Sequence, residues 1–434
     1  MDEIGIPVKL LVVHEVNYLE KIIYEFQILP EILSILGHEV TIIDYNDNWK
    51  TSSNGDGPRS ASPARSASAI ARSLQEGRSI IGGLGTRVHQ AVHRAYANAS
   101  VTVRRPGMIR APILARVSGA VTSGLEIHRF LRDHPVDAVL LYGLPTVGVQ
   151  ALAAARRHKL PVIFRSIDVL HRLVPWRSLA VATRLLEHYV YRNVDAIFPV
   201  TLHLKNHILS YNVPESRVRV LPSGVDTGMF SPGPRNTELL LRWGIGPKDP
   251  VILFMGTIYK FSGLDRIIKE FPDVTLRYPN AKLLIVGCGE DEDRLKQLSA
   301  QNGLSGHIIF GGLHSYSALV DIIRSSDICI NPFELNGITR DILPTKLFQY
   351  LACGKPVVAT ELPGTIPFLS GPAHGIVYCS LDGFSKHLID LLDSPARREQ
   401  LGQNGVQITR AKYEWKQIAE TMVSWIREFQ PLPV

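Results

Sequence analysis

The stretch that decides the fold is Asp327–Thr360, which reads DICINPFELNGITRDILPTKLFQYLACGKPVVAT. Its apolar start predicts a short buried strand over Asp327–Pro332, and a polar loop follows over Phe333–Leu343. A helix is then predicted over Thr345–Cys353, because the proline before it is tolerated where a helix begins and Gly354 is favoured just past a helix end. The β-branched run that follows is typical of a buried parallel strand. The stretch therefore predicts a strand, a loop, a helix and a second strand.

The beginning of this helix is a candidate site for a phosphorylated ligand. In an open parallel sheet, ligands bind beyond the carboxyl ends of the strands, where a helix N-terminus offers free N–H groups and partial positive charge. Arg340, Asp341 and Lys346 surround that N-terminus in the sequence and can bind a pyrophosphate and sugar hydroxyls. The alternative is a surface loop with three solvated charges. The residues alone leave both interpretations open.

The run from Pro344 to Thr360 resembles the signature of the group-1 (family 4) retaining glycosyltransferases, which have the GT-B fold. In that family two glutamates, with seven residues between them, accompany such a run. Asp341 and Gln349 stand at these two positions here. The resemblance implies that Asp341 contacts the transferred sugar and that Gln349 holds the ribose of the nucleotide through its amide.

Length and composition indicate a two-domain protein of the cytoplasm. The 434 residues, of which 45% are apolar and 20% charged, exceed one ordinary core. No apolar stretch reaches the ~18–20 residues of a membrane span, and the first residues lack the pattern of a secretory signal. The four cysteines have no paired spacing, so a metal cluster is not expected. A reducing compartment such as the cytosol is the expected setting.

Alternating strands and helices predict an α/β fold for the first part of the chain. Strands are predicted over Val8–Val13, Glu39–Asp44, Asp137–Tyr142, Pro161–Phe164 and Ala196–Val200. The helix predicted over Leu19–Leu36 carries Pro30, which should kink or restart it.

The segment RSIDVLHRLVP after the strand Pro161–Phe164 contains two further candidates. In the resembling family this loop carries a histidine near the donor sugar and the acceptor. Ser166 or Ile167 stands at that place here, and Asp168 and His171 lie next to it. These two could share one face of a short helix, at positions i and i+3. The alternative is a surface or capping histidine.

The segment RVRVLPSGVDTGMFSPG matches the family's passage into its second domain, and Gly224, Val225 and Asp226 carry the match. The resemblance implies a GT-B architecture of two Rossmann-like domains facing across a cleft. The first, acceptor-side domain would span 1–222 and be completed by an amphipathic helix at about 415–434. The second, nucleotide-sugar-binding domain would span 223–414.

The loop Gly256–Gly263, GTIYKFSG, corresponds to the family's loop whose arginine and lysine bind the donor phosphates. Thr257 and Ser262 replace those two residues, so Lys260 or Arg340 is expected to supply the phosphate contact. The resemblance implies a nucleotide-binding set of Gly256, Thr257, Ser262, Gly263, Gly311, Leu313, Thr345, Lys346 and Gln349.

Two acidic residues, Asp291 and Asp293, raise the alternative of a metal pair. Acids in the first turn of a helix ordinarily stabilise its dipole, and this interpretation is favoured. The neighbouring GCGEDEDRL lacks the last small residue of a dinucleotide fingerprint. Neither a metal nor a bound cofactor is therefore expected.

An arginine-rich insertion is predicted over about 46–119. Ten arginines, no lysine and one acid, Glu76, lie between Arg59 and Arg116. Such a stretch favours binding to anionic surfaces, and each basic residue near an anionic membrane contributes about 1 kcal/mol to the binding. A membrane is preferred over nucleic acid as the partner, because the stretch lacks interleaved aromatic residues. The alternative is a compositional bias of an exposed surface.

The sequence thus predicts a retaining glycosyltransferase that moves a sugar from a nucleotide-sugar to a glycan or lipid-linked acceptor. Arg340, Lys346 and Lys260 would stabilise the departing diphosphate, and no metal would be needed. The enzyme would be cytoplasmic, at the inner face of the membrane if it is peripheral. Two alternatives stay open: a sugar-nucleotide epimerase or hydrolase of the same fold, and a non-catalytic subunit that partners an active glycosyltransferase.

Overall fold

The computed structural model describes residues 6–45, 85–109, 114–143, 147–173 and 177–429. The chain forms two compact units. Unit 1 consists of Met1–Leu221 together with Ile418–Val434, and unit 2 consists of Pro222–Gln417. Residues 46–84, which make up much of the predicted arginine-rich insertion, lie outside the described residues.

Unit 1 is built on a seven-stranded sheet with the order β3-β4-β2-β1-β5-β6-β7. Its neighbouring strands are parallel except for the edge pair β3 and β4. Burial on both faces explains why the central strands read as apolar runs rather than as alternating patterns. The strands are β1 (Lys9–Val13), β2 (Glu39–Ile43), β3 (Arg87–Val92), β4 (Val101–Arg105), β5 (Ala138–Leu141), β6 (Val162–Ser166) and β7 (Ala196–Pro199).

The first helix of unit 1 differs from its prediction at its start. It begins at Glu25 rather than at Leu19, because the backbone N–H of Tyr24 donates to the side chain of Gln27 at 2.8 Å and closes the first turn. The helix includes Pro30 and is not restarted there. Among the described residues up to Leu221, the helices of this unit are α1 (Glu25–Ile35), α2 (Leu114–Asp133), α3 (Gly148–Arg157), α4 (Arg177–Asn193) and α5 (Leu202–Leu209).

Unit 2 is built on a six-stranded parallel sheet with the order β10-β9-β8-β11-β12-β13. The chain starts at β8, adds strands on one side, and then returns to add β11 on the other side. The strands are β8 (Val251–Met255), β9 (Lys282–Val286), β10 (Ile308–Gly312), β11 (Ile328–Asn331), β12 (Val357–Ala359) and β13 (Ile376–Tyr378). The helices are α6 (Thr237–Leu241), α7 (Leu264–Arg277), α8 (Glu292–Gln301), α9 (Ala318–Arg324), α10 (Thr345–Ala352), α11 (Phe384–Asp393) and α12 (Pro395–Lys412).

The predicted order of elements in the central stretch is confirmed. Strand β11, helix α10 and strand β12 follow one another, and Gly354 adopts a φ of +73° just past the helix. Pro344 lies directly before the helix, as predicted, in an extended conformation. The loop between β11 and α10 is ordered by a 3-10 turn over Thr339–Asp341.

The last helix, α13 (Trp415–Arg427), begins in unit 2 and continues into unit 1 from Ile418. Within unit 1, the ring of Trp425 lies 5.3 Å from that of Phe198. Arg219 also pairs with Glu428 at 2.6 Å. No helix among the described residues has both the length and the apolar character needed to cross a bilayer.

Candidate functional site

The strand order of unit 2 places a crevice between β8 and β11. These neighbouring strands continue to opposite sides of the sheet, so the loops that follow them diverge at their carboxyl ends. Such a switch point is where open α/β sheets bind ligands. The loop after β8 is Gly256–Gly263, and the loop after β11 covers residues 332–344.

Two glycines allow these loops to approach each other closely. Gly263 has a φ of +68°, and a Cβ there would lie 1.8 Å from the carbonyl oxygen of Pro332. The backbone N–H of Glu334 also donates to the carbonyl of Phe261 at 2.9 Å. Gly256 has a φ of +137°, and a Cβ there would lie 3.0 Å from the Nζ atom of Lys346. Side chains at either glycine would therefore strain the backbone and fill the space that the loops use.

Lys346, in the first turn of α10, places a buried ammonium at this point. Its Nζ lies 4.1 Å from the ring centre of Phe254 and 4.3 Å from that of Phe333. It has no hydrogen-bond partner among the described residues. Removal from water lowers the pKa of the Lys346 ammonium to about 7. The aromatic faces stabilise a cation only in part, so the site is suited to an anionic ligand.

Two more buried polar side chains lie at the same edge of the sheet. The amide oxygen and nitrogen of Asn331, the last residue of β11, have no partner within the described part of the chain, and neither has the Oγ of Ser262. Each buried group left without a hydrogen bond costs about 1–3 kcal/mol. Buried polar groups without a hydrogen-bond partner are rare in folded proteins, and a polar ligand that binds here would supply the missing partners.

Asn331 is a candidate that the sequence reasoning missed. The signal was present, because a polar residue ends the otherwise apolar run that forms β11. The parallel register with β8, in which Cys329 lies opposite Leu253, brings the ends of the two strands level. Asn331 therefore lies at the switch point itself.

Helix α10 is fixed to the end of β8 by Tyr350. The backbone N–H of Met255 donates to the Tyr350 hydroxyl oxygen at 2.7 Å. The first turn of α10, which begins at Thr345, has no side-chain cap. On the same helix the Nε2 of Gln349 lies 3.5 Å from the hydroxyl of Tyr316. The helix thus presents uncapped backbone N–H groups, Lys346 and Gln349 from one rigid element.

Arg340 and Asp341 lie in the 3-10 turn that precedes α10. The N–H of Thr339 donates to the side-chain oxygen of Asn336 at 3.0 Å, and this contact orders the turn. A Cβ at Gly364 would lie 2.6 Å from the carbonyl carbon of Asp341, so the turn packs directly on that glycine. Asp341 is half-buried and Arg340 is exposed. The structure places these two residues on the loop that leads directly into α10, which carries Lys346.

The other predicted residues of unit 2 lie along the same edge of the sheet. Lys260 is exposed at the start of a 3-10 turn, and Thr257 is half-buried before it. Gly311 belongs to the edge strand β10, and Leu313 is exposed just beyond it. The N–H of Gly287 donates to the carbonyl of Gly312 at 2.8 Å, which keeps the ends of β9 and β10 together.

The structure corrects the prediction for Asp168 and His171 in unit 1. A 3-10 turn begins at Leu170, so Asp168 lies outside it and the two residues do not share a helical face. Burial, and then the nearby Glu25 charge, raise the pKa of Asp168 to about 6. His171 points elsewhere, because its Nδ1 lies 2.5 Å from a carboxylate oxygen of Glu187 on α4.

Two groups have the composition of metal ligands. The ligand atoms of His171, Glu187 and His207 lie within 4.8 Å of one another. Glu187 accepts a hydrogen bond from the backbone N–H of His171 as well, which orders the segment after β6. Of the acidic pair considered from the sequence, Asp291 is paired with Arg294 at 2.6 Å, and this ion pair accounts for its charge.

Comparisons with solved structures define the fold. The Anabaena protein Alr3699/HepE in complex with UDP and glucose has a TM-score of 0.69, with 12% identity and coverage of 97% of this chain and 99% of that one. Sucrose-phosphate synthase from Thermosynechococcus elongatus has a TM-score of 0.68, with 15% identity and coverage of 97% and 98%. Two Rossmann-like domains of this kind make up the GT-B fold of glycosyltransferases, as predicted.

Sequence models then identify the family. The model described as "Glycosyl transferases group 1" matches residues 237–407, and the model described as "Glycosyltransferase Family 4" matches residues 32–228. This chain belongs to the group-1, family 4 glycosyltransferases, and the resemblance found in the sequence is confirmed.

Two curated relatives are mannosyltransferases by name. The GDP-mannose-dependent monoacylated alpha-(1-6)-phosphatidylinositol monomannoside mannosyltransferase of Corynebacterium glutamicum is 32% identical over 210 residues, which is 47% of this chain and 54% of the relative. This chain thus spans about half the length of that relative. The GDP-mannose-dependent alpha-(1-6)-phosphatidylinositol monomannoside mannosyltransferase of Mycobacterium tuberculosis is 24% identical over 326 residues, covering 74% of this chain and 83% of the relative.

Proposed function

We propose that this protein transfers a sugar from a nucleotide-sugar to a lipid-linked or glycan acceptor, with retention of configuration at the anomeric carbon. The observation that carries the proposal is the buried ammonium of Lys346, which has no hydrogen-bond partner among the described residues and lies at the switch point of unit 2. Membership of a glycosyltransferase family supports it.

The diphosphate of the donor binds to Lys346 and to the uncapped N-terminus of α10. In the resembling family an arginine and a lysine of the loop after β8 hold these phosphates, and Thr257 and Ser262 stand in their places here. Lys346 reaches Gly256 of that same loop from α10. It therefore supplies the lost positive charge, and Lys260 and Arg340 add to it from the exposed ends of the two loops.

The same groups act in the reaction. Negative charge grows on the diphosphate as the glycosidic bond breaks, and fixed cations and backbone N–H groups stabilise that charge without a metal. Asp341 orients the transferred sugar, and Gln349 binds the ribose. The acceptor attacks from the side of the leaving group, and a phosphate oxygen assists its deprotonation, so no separate base is required.

Mannose from GDP-mannose is the first donor to test, because two relatives are named for it. Those relatives are also named for phosphatidylinositol monomannoside acceptors, which makes a membrane glycolipid the preferred acceptor class. A peripheral position at the inner face of the cytoplasmic membrane would bring the enzyme to such an acceptor.

The deciding experiment is nucleotide binding followed by transfer. The thermal unfolding of the full chain is measured with GDP, UDP, ADP and dTDP, since a ligand at a hundred times its dissociation constant adds about 2.7 kcal/mol. We expect one nucleotide to raise the unfolding temperature, Lys346→Met to lose most of that rise, and the matched control Lys386→Met, an exposed lysine of the same unit, to keep it.

A second candidate, a non-catalytic subunit, is favoured by the replacements at Thr257, Ser262 and Gln349. If no nucleotide stabilises the chain, the transfer proposal is wrong and this alternative stands. If the sugar nucleotide is consumed without any acceptor, the protein is an epimerase or hydrolase instead. Product with the inverted anomer would refute the retaining mechanism alone.

A further inference from the structure

Helix α2 exposes a stripe of large apolar side chains. Leu114, Val117, Val121 and Leu125 follow one another on one face of the helix, and Leu125 is 66% exposed. An ordinary surface helix turns its apolar stripe to the core and its polar face to water. The opposite face of α2, which includes Phe130, already serves the core. The exposed stripe is therefore additional to what folding requires.

Helix α4 repeats this pattern. Val181, Leu185 and Tyr189 recur at every fourth position, and Leu185 is also 66% exposed. Exposed apolar residues are common singly, but a stripe along each of two helices marks an interaction site.

Helix α3 packs against both α2 and α4 and joins the two stripes into one layer. A Cβ on Gly124 of α2 would lie 3.2 Å from the side chain of Gln150. On the other side, Arg156 donates to the backbone carbonyl of Asn193 at 2.9 Å. We call the exposed residues of α2, α3 and α4 the three-helix face.

The exposed charge of the three-helix face is positive. Its basic residues are Arg116, Arg129, Arg132, Arg156, Arg157, Arg184 and Arg192, with Lys159 directly after α3. The acids of these helices are accounted for in other ways. Glu126 is buried and paired with Arg104, and Glu187 is buried against His171. The exposed Asp133 at the end of α2 pairs with Arg132 at 2.7 Å, so it offsets one of the arginines.

We propose that the three-helix face binds the surface of an anionic lipid bilayer. The apolar stripes would enter the boundary between headgroups and acyl chains, while the arginines lie among the lipid phosphates with their stems along the apolar layer. Each basic residue near such a surface adds to the attraction, and the attraction weakens with salt. The inference deepens the function proposed above, since it places the lipid-linked acceptor at unit 1, yet docking itself does not require transfer.

Vesicle flotation of the full chain tests the proposal. We expect the protein to float with phosphatidylcholine vesicles that contain about 30% phosphatidylglycerol, to stay behind with pure phosphatidylcholine, and to be released at about 0.5 M salt. The double variant Leu125→Glu/Leu185→Glu should lower the partition coefficient at least tenfold. Leu276→Glu is the matched control, because that leucine is 87% exposed in unit 2, and it should float like the wild type.

The charge contribution is tested separately with Arg156→Gln/Arg157→Gln, which should weaken flotation with anionic vesicles several-fold and leave neutral vesicles unaffected. Unchanged flotation of the leucine double variant would overturn the proposal. The proposal would also be overturned if, without vesicles, the wild type is a dimer and the leucine double variant is a monomer. The three-helix face would then join two copies of the chain.

Nucleotide-induced stabilisation is measured on the same samples. A double variant that keeps it, and that has the far-ultraviolet circular dichroism and the unfolding temperature of the wild type, is folded in both units, so its loss of flotation supports the membrane face. If no nucleotide stabilises any variant while flotation still depends on the leucines, the proposed transfer is wrong and the membrane face stands.

Discussion

Raising the pH above neutrality should weaken the binding of the nucleotide-sugar donor. Burial lowers the pKa of Lys346 to about 7 in the ligand-free protein. The diphosphate of a nucleotide-sugar, which bridges two sugars, keeps its charge across this range, and its approach raises the pKa of the ammonium. Only the protonated lysine binds well. The apparent Kd should therefore rise about 30-fold from about pH 6 to about pH 8.5, which is ~2 kcal/mol.

The assay is isothermal titration calorimetry with the nucleotide-sugar that stabilises the protein, repeated at half-unit steps of pH. Lys346→Met should bind weakly at every pH, with an affinity near that of the wild type at high pH, and its Kd should not depend on pH. Lys386→Met should reproduce the wild-type curve. A wild-type Kd that stays flat across the range, or a Lys346→Met variant with wild-type affinity, would refute the reasoning.

The same lysine affects the stability of the ligand-free protein in the opposite sense. Its pKa is about 7 when folded against an ordinary value of 10.5, so the unfolded chain binds the proton more tightly. Between about pH 7 and pH 10.5 the free energy of unfolding should therefore rise as the pH rises, and it should fall again as the pH is lowered towards 7. At pH near 7 we expect Lys346→Met to be more stable than the wild type by about 1–3 kcal/mol in urea unfolding.

Three further perturbations follow from contacts described above. Gly263→Ala should cost at least ~3 kcal/mol in urea unfolding, because the new Cβ meets a backbone oxygen at 1.8 Å, whereas Gly337→Ala, with open space around it, should cost under about 0.5 kcal/mol. Asp341→Ala should abolish sugar transfer while the nucleotide still raises the unfolding temperature; full activity would remove Asp341 from the site. Glu25→Gln should lower the free energy of unfolding by about 3–5 kcal/mol, because the buried Arg165, 2.5 Å away, loses its charged partner; a change within 0.5 kcal/mol would contradict this.

The fold could be predicted because its signals are local. Gly354 adopts the positive φ expected after a helix, and the apolar runs that form β8 and β11 are buried as predicted. The first helix was predicted to begin six residues too early. The apolar pattern of the sequence continues across the true start, which is set by the hydrogen bond between Tyr24 and Gln27 and not by that pattern.

The site could be predicted only in part. The sequence placed Lys346 near a helix N-terminus, but its burial against Phe254 and Phe333 arises from residues far apart in the chain. For the same reason Asn331 was missed, and Asp168 and His171 were given a shared face that the backbone does not provide. Spacing along the chain does not reveal which polar groups folding leaves without partners.

The division of the last helix has a consequence for how the protein is made. Unit 1 needs Ile418, Met422 and Ile426, which are buried and follow the whole of unit 2 in the chain. Unit 2 is continuous and precedes them, so it can complete its core during translation. Domains usually fold in the order of synthesis, with the N-terminal one first. Here unit 1 must wait until unit 2 has been synthesised, and a stop codon at residue 418 would spare unit 2 and leave unit 1 to chaperones and proteases.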